Sequence, residues 1–327
     1  MSHGLGPFAV AVLGQPVLDR FLYGVTHRIS REAPVLVVRE ESQADFLGGA
    51  ANTAANLAGL GLEARLVGPV GVDAAADELR SACCAAGVPV DGLVPGGAPV
   101  TVTKTRILAG GLHTTRQQML RIDREREGPP TEPARAALMD AGRRALVGAR
   151  AVIVSDYGDD GLVDLWVELA AHARALGLPV VVDSRRSLLR FRGASAVTPN
   201  EPEAEAALGR PLRTAEEAAA AAVELRDRLD LDAALLTRGA LGMVLAPRGA
   251  PPVHIPAVGG EAVDVTGAGD TVAATFTAAW SAGLQIEAAA RLANRAAAVV
   301  VQRTGTVAVR AEDIAWGEAL PGADLTA

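Results

Sequence analysis

A chain of 327 residues, half of them hydrophobic and with a net charge of -7, holds enough apolar material for one large α/β domain and is too acidic to take nucleic acid or an anionic membrane as its main partner. Aromatic residues make up only 3%, so stacking platforms for single-stranded nucleic acid are scarce. The only cysteines, Cys83 and Cys84, are neighbours in a predicted helix and point in different directions, which reads as small core residues in a reducing compartment rather than a metal clip or a disulfide.

The first apolar run, Phe8 to Leu13, is short, follows no basic segment and stops at Gly14 and Pro16, so it reads as a strand and not a signal peptide. No stretch approaches the ~20 apolar residues needed to span a bilayer, and the expectation is a soluble cytoplasmic protein. Asp19 falls just past that strand, where open α/β sheets bind ligands; alone it would be an ordinary solvated carboxylate. Pro34 to Glu40 is a strand candidate with no helix before it. Gly48 and Gly49 then lead into a helix of small residues containing Asn52, an arrangement that lets a polyol approach the backbone or, more blandly, an Ala-rich packed helix.

Ala64 to Gly71 reads as a strand and Ala74 to Gly87 as a helix. Val100 to Leu108 alternates as a half-buried strand, Gly110-Gly111 offers a turn, and His113 to Ile122 returns. These segments, about 20–47 and 99–123, are expected to form a small β lid over the ligand edge of a single domain spanning 1–327. Lys104, Arg106, Arg116 and Arg121 make the lid hairpin positive, suited to an anionic substrate or simply to protecting a sheet edge.

The remainder alternates like a doubly wound, mostly parallel sheet with helices on both faces. Strands are expected at 151–155, 180–183, 196–198 and 233–237. Helices are expected at 162–176, 202–208 and 214–229, with Thr214 and Glu217 matching a capping box, and again from Asp270 and over 286–303.

The chemistry concentrates in Asp264-Val265-Thr266-Gly267-Ala268-Gly269-Asp270, placed between a strand at 253–255 and a buried helix. Small residues leave first-turn amides uncovered, which makes an anion site. An aspartate inside it points to phosphoryl transfer: the Gly267, Ala268 and Gly269 amides hold phosphate oxygens and Asp270 takes the proton of the attacking hydroxyl. The helix N-terminus should favour the ionised form of Asp270. Asn200 and Glu203, three apart at a helix start, could orient a magnesium-bound water, although a first-turn carboxylate is also the ordinary helix pattern. Thr237-Arg238-Gly239 could line a nucleotide. Of Arg185, Arg186, Arg190 and Arg192, one could reach a phosphate, with a solvated basic face as the plainer reading. No P-loop signature occurs, and no Gly-x-Gly-x-x-Gly follows the first strand.

Taken together, the Asp264 to Asp270 turn, Asn200-x-x-Glu203, Gly48-Gly49 with Asn52, and Asp19 resemble the ribokinase-like, or PfkB, family of carbohydrate kinases over nearly the whole chain. Leu18 to Gly24, Arg28 to Val35 and Ser155-Asp156-Tyr157 resemble its heptose 7-phosphate kinase branch. The resemblance implies a ribokinase-like fold and ATP-dependent phosphorylation of an anomeric hydroxyl, with Asp270 as base. It implies Asn200 and Glu203 at ATP and magnesium, Thr237 and Gly239 along the nucleotide, and Asn294 near the adenine. Asp19, Gly48, Gly49 and Asn52 would hold the sugar, and Asp264 with the Thr266 carbonyl a monovalent cation such as potassium. It implies a homodimer through the lid. Two positions depart from the branch: Gln15 stands where relatives carry an aspartate, and Asp183-Ser184-Arg185 where they carry Asp-Pro-Lys. Gln15 opens the alternative of a kinase for another sugar or sugar phosphate, and a non-catalytic sugar or nucleotide sensor on the same fold is the rival outside enzymes.

Overall fold

The computed structural model describes residues 8–110, 116–125, 128–158, 161–260 and 262–316. Its main sheet has nine strands: β1 (Ala9–Gly14), β4 (Glu63–Val70), β5 (Leu93–Pro95), β8 (Ala149–Asp156), β9 (Val180–Ser184), β10 (Ala196–Val197), β11 (Ala233–Thr237), β12 (Met243–Pro247) and β13 (Val253–Ile255). They lie in the order β13-β12-β11-β10-β9-β8-β1-β4-β5. From β11 to β5 neighbours run parallel, while β12 and β13 are added antiparallel at one edge.

The strands of this sheet are apolar on both faces because both are covered. Val10, Val12, Ala151 and Ile153 pack with Leu57, Phe276 and Leu292, from α1 (Ala50–Gly59), α7 (Ala268–Ser281) and α8 (Ile286–Val300). The alternate residues Ala11, Leu13, Val152 and Val154 pack with Leu138, Leu165 and Leu225, from α3 (Glu132–Leu146), α4 (Val163–Ala175) and α6 (Ala215–Leu229). The remaining helices, α2 (Ala74–Ala85) and α5 (Glu201–Leu208), complete the two layers. The Thr214–Glu217 capping box opens α6 as its sequence indicates, with both reciprocal bonds made. No helix among the described residues is long and apolar enough to cross a membrane.

A second, four-stranded sheet forms the lid, in the order β3-β2-β6-β7: β2 (Pro16–Ile29), β3 (Leu36–Gly49), β6 (Thr103–Gly110) and β7 (Gln117–Arg124). It is larger than the sequence suggests. β2 starts directly after β1 and runs for 14 residues, a strand that the sequence reading left out. Near its base both faces are apolar or buried, with Leu18 and Leu22 alternating with Asp19, Phe21 and Tyr23, so no polar face betrays a strand. Asp19 is therefore a lid residue inside β2 and not part of a loop after β1. Gly48 and Gly49 are likewise the last residues of β3, from which the chain turns into α1. Gly111 and His113 of the expected hairpin lie outside the described residues. The sequence also passed over α3, β5 and β12.

Candidate active site

Asp270 belongs to the first turn of α7, and the backbone before it decides what it can do. The expected direct handover from β13 does not occur: residues 256–267 intervene, and β13 is an edge strand. Gly267 instead sets the helix start. Its φ of 79° is left-handed, and a Cβ there would lie 2.5 Å from Asn52 Nδ2, so both conformation and space require glycine. No side chain caps the helix. The Ala268 amide donates to the Val265 carbonyl at 3.3 Å, and the Gly269 and Asp270 amides have no acceptor among the described residues. The N-terminus of α7 is thus open to an anion.

The turn, Asp270 and the ends of several strands line one cavity of about 410 Å³. Asp270 is only 2% exposed, so its carboxylate has lost most of its water. Donors replace part of it: Asn52 Nδ2 donates to Oδ2 at 2.9 Å, and the Tyr157 hydroxyl lies 3.1 and 3.3 Å from Oδ1 and Oδ2. Burial outweighs both bonds and the helix terminus, raising the pKa from 3.8 to about 6, with the charge of Asp19 adding to the rise. The helix start was expected to favour the ionised form; desolvation acts against it and sets the net direction. A base of pKa near 6 is better matched to work at neutral pH.

On one side of Asp270 the cavity is built from strand ends. An isolated parallel bridge joins Asn200 to Thr237, and the cavity wall continues through Thr198, Glu203 and Gly239. Asn200 and Glu203 form a full capping box on α5: Asn200 Oδ1 accepts from the Glu203 amide and Glu203 Oε2 from the Asn200 amide, each at 2.9 Å. The pair therefore has the structural role of a helix start, and Oε1 is the oxygen left for a ligand. Burial first, then the charge of Glu203, pushes Asp183 well above the usual carboxylate range, and burial raises Glu203.

Five expected positions lie off the cavity wall: Gly48, Gly49 and Asn52, which stand behind it at the turn from β3 into α1, and Asn294 and Asp264. Asn294 is buried on α8, and its Nδ2 donates to the Pro256 carbonyl at 2.8 Å, anchoring the start of the 256–267 loop. Asp264 is the organiser of that loop's end: Oδ1 accepts from the Thr266 amide and hydroxyl at 2.9 and 2.7 Å, and Oδ2 from the Gly305 amide at 2.9 Å. These donors hold its pKa below the ordinary value in spite of burial.

On the other side the lid closes the cavity with Asp19, Lys104 and Arg106. Arg106 is not a spare cation, because it forms a short ion pair with Asp19 and stacks over Phe21 at 5.1 Å. Both were expected to meet substrate; both line the cavity, and there each neutralises the other. Gly48 makes room for this pair, since a Cβ there would come within 2.2 Å of Asp19 Oδ2. Arg116 and Arg121 pair with Glu41 and Asp123. Arg190 pairs with Asp164.

Of the cations lining this cavity and its neighbour, Arg106 alone has an ion pair among the described residues; Lys104, Arg185 and Arg186 have none and line the wall that contains Tyr157. Lys104 Nζ and the Arg185 guanidinium lie 5.1 and 4.1 Å from its ring centroid. Behind Tyr157 opens a second cavity of about 610 Å³, lined by Gln15, Val17, Lys104, Tyr157, Arg185 and Arg186 among others. Burial, then the charge of Arg185, lowers the Lys104 pKa, which an anion in this cavity would reverse. Tyr157 thus forms the partition between the two cavities. Its pKa is raised by burial and by Asp270, which keeps its proton available for donation.

Tyr157 and Asp183 enter the sequence reading only within branch-like motifs and without a role in the site, yet the rule that located Asn200 and Thr237 applies to them. Tyr157 follows the end of β8 and Asp183 is the penultimate residue of β9.

The chain matches the profile of the pfkB family carbohydrate kinases over residues 9–313. It is 44% identical over 307 residues to the Bifunctional protein HldE of Halorhodospira halophila, covering 94% of this chain and 62% of the relative. The same is true of the Bifunctional protein HldE of Caulobacter vibrioides, with 44% identity over 310 residues, 93% of this chain and 62% of the relative. The chain thus spans about three-fifths of the length of these relatives. Among solved structures it is similar to Arabidopsis thaliana ribokinase complexed with ribose and ATP, with a TM-score of 0.74 and 20% identity over 96% of this chain and 99% of the other. Phosphofructokinase-2 from Escherichia coli in complex with potassium gives a TM-score of 0.75 and 19% identity over 96% and 99%. These likenesses establish a ribokinase-like fold.

Replacing Asp270 by Asn preserves shape and both neighbours while removing the base. Turnover should fall by about 10²–10⁴-fold. Stability should move the other way. A carboxyl whose folded pKa of about 6 lies above its ordinary 3.8 opposes folding fully above the folded value and not at all below the ordinary one. Asp270→Asn is therefore expected to gain on the order of 3 kcal/mol in urea unfolding at neutral pH and to lose that advantage near pH 4. Unchanged turnover, or equal stability at both pH values, would contradict this assignment.

Proposed function

The chain belongs to the pfkB family of carbohydrate kinases, and we propose that it transfers the γ-phosphoryl group of ATP to the anomeric hydroxyl of D-glycero-D-manno-heptose 7-phosphate, giving the 1,7-bisphosphate. The observation that carries this reading is the arrangement of two adjoining cavities: open amides and Asp270 line one, Lys104, Arg185 and Arg186 line the other, and Tyr157 lines both. The triphosphate lies against Gly267, Ala268 and Gly269, with the nucleotide along Thr237 and Gly239. The reacting hydroxyl lies at Asp270, and the far phosphate of the acceptor enters the cavity of Lys104, Arg185 and Arg186.

The acceptor oxygen attacks the γ-phosphorus, the bond to ADP breaks with its electron pair going to ADP, and the hydroxyl proton passes to Asp270. In a loose transition state that proton moves late, so a carboxylate of pKa about 6 suffices and orientation carries most of the rate. Asn52 and Tyr157 hold Asp270 on line, while the lid excludes water.

Magnesium fits the opposite end. Glu203, through Oε1, and Asp183 are carboxylates whose ionisation is disfavoured by burial and, at Asp183, by the charge of Glu203, and a divalent cation would relieve both. Bound there with the phosphates, it would neutralise charge on the transferring group; among the described residues no cluster of three or more His, Cys, Asp or Glu side chains could cage it, so waters and phosphate oxygens complete its shell. A monovalent cation, potassium in our reading, fits Asp264 and the Thr266 carbonyl, since Asp264 stays ionised and three of its roughly four lone-pair sites are filled. The enzyme would work in the cytoplasm, where ATP is supplied.

A kinase for a different phosphorylated sugar has one observation in its favour. Gln15 is 4% exposed in the wall of the basic cavity, with Nε2 donating to the Pro16 carbonyl and Oε1 unpartnered. A neutral acceptor there reads sugar hydroxyls differently from a carboxylate.

The lid suits a second copy of the chain. Leu22, Ile107 and Leu120 stand in register across β2, β6 and β7, and with Ile122 they make an apolar outer row, Leu120 and Ile122 being 56% and 48% exposed. Light scattering should find a homodimer that Leu120→Glu converts to a monomer; a monomeric parent protein would remove this part of the proposal.

The substrate assignment is tested by ADP release with a panel of free and phosphorylated heptoses, hexoses and pentoses. Phosphorylated heptose should react best, and Arg185→Ala with Arg186→Ala should raise its KM by about tenfold or more with little change for ATP. Reaction with unphosphorylated sugars alone would leave a kinase and overturn the substrate.

A further inference from the structure

The amide of Asn52 can face Asp270 with its NH₂ or with its carbonyl oxygen, and only the first supports an ionised base. What decides between them is a chain of hydrogen bonds leading away from the site. It begins at the Val309 backbone amide, which can only donate, and which points at Asn56 Oδ1 at 2.9 Å. The Thr271 hydroxyl lies 3.0 Å from the same oxygen. Asn56 Nδ2 is thereby turned to the other side, where it donates to the Asn52 backbone carbonyl at 2.9 Å and to Asn52 Oδ1 at 3.2 Å. With Oδ1 so engaged, Asn52 Nδ2 is left for Asp270 Oδ2 at 2.9 Å and, more weakly, the Gly267 carbonyl at 3.4 Å.

We propose that Asn56 is a positioning residue for phosphoryl transfer: it touches no reactant, and through Asn52 it fixes the orientation and ionisation of Asp270. The proposal rests on the reading of Asp270 as the base. Every member of the chain is buried, with Asn52, Asn56, Thr271 and Asp270 exposed by 1%, 0%, 0% and 2%. A reversed amide would set two oxygens against each other where no water can intervene, a costly arrangement. Asp270 is also faced by Tyr157 by direct hydrogen bond, by Asp19 of β2 and Asp183 of β9, and by Arg185 after β9. None of these four hydrogen-bonds Asn56, so its influence passes through Asn52.

The test is a double-mutant cycle read as a pH profile. Asn56→Leu in the unaltered background should move the acid limb of kcat/KM upward by about half a unit or more and lower kcat by about tenfold, with the KM for ATP held within about twofold. In an Asn52→Ala background, where the limb is already raised, Asn56→Leu should move it no further, although thermal stability still falls. An unmoved limb in the single variant overturns the proposal, as does an equal shift in both backgrounds, which would mark a purely structural role.

Should these variants fail to fold, the unmodified protein still decides the matter by NMR. The Val309 backbone amide and the Asn56 side-chain amide should titrate with the midpoint of the Asp270 carboxyl, and flat signals across that range overturn the proposal. The substrate reading can fail while this titration holds, so the two outcomes are separable.

Discussion

A carboxylate removed from water remains ionisable only where donors replace the water it has lost, and the active site is organised around meeting that condition at Asp270. Asn52 supplies one donor from α1 and Tyr157 another from the end of β8, while α7 adds the field of its open N-terminus. These elements come from three separate parts of the chain and meet at one carboxyl. The replacement is incomplete, which leaves the pKa raised to about 6: a fully solvated aspartate would be a weaker base, and an unsupported buried one would stay protonated.

The same economy of donors explains the glycines and the lid. Gly267 leaves space for the Asn52 amide, and Gly48 leaves space for Asp19, which in turn holds Arg106 against Phe21. With Arg106 neutralised, positive charge is concentrated at Lys104, Arg185 and Arg186 around Tyr157. One aromatic ring then serves two cavities, donating its hydroxyl toward the base and presenting its face to cations on the acceptor side. The result is a polarity running through the site, from open amides to a cavity lined by three cations, with Asp270 between them.

Much of this was legible before any coordinates. The parallel sheet, the uncovered turn and the alignment of strand ends at Asn200 and Thr237 follow from local pattern, because buried parallel strands are continuously apolar and the residues ending them face the ligand edge. The lid was legible only in part: β2 carries apolar residues on both faces near its base, so alternation does not reveal it. The state of the charges was not legible at all. Nothing in the sequence tells that Arg106 is committed to Asp19 while Arg185 is not, since that depends on side chains 87 residues apart in the chain. Asn56 was hidden for a similar reason, its orientation being set by a backbone amide 253 residues away.

The central claim concerns one titration. With aspartate labelled at the carboxyl carbon, the Asp270 resonance followed by NMR against pH should show a midpoint near 6, well apart from exposed aspartates, and should disappear in Asp270→Asn. A midpoint at the ordinary 3.8 would mean that the carboxylate remains solvated, and the account of a buried, donor-held base would be wrong.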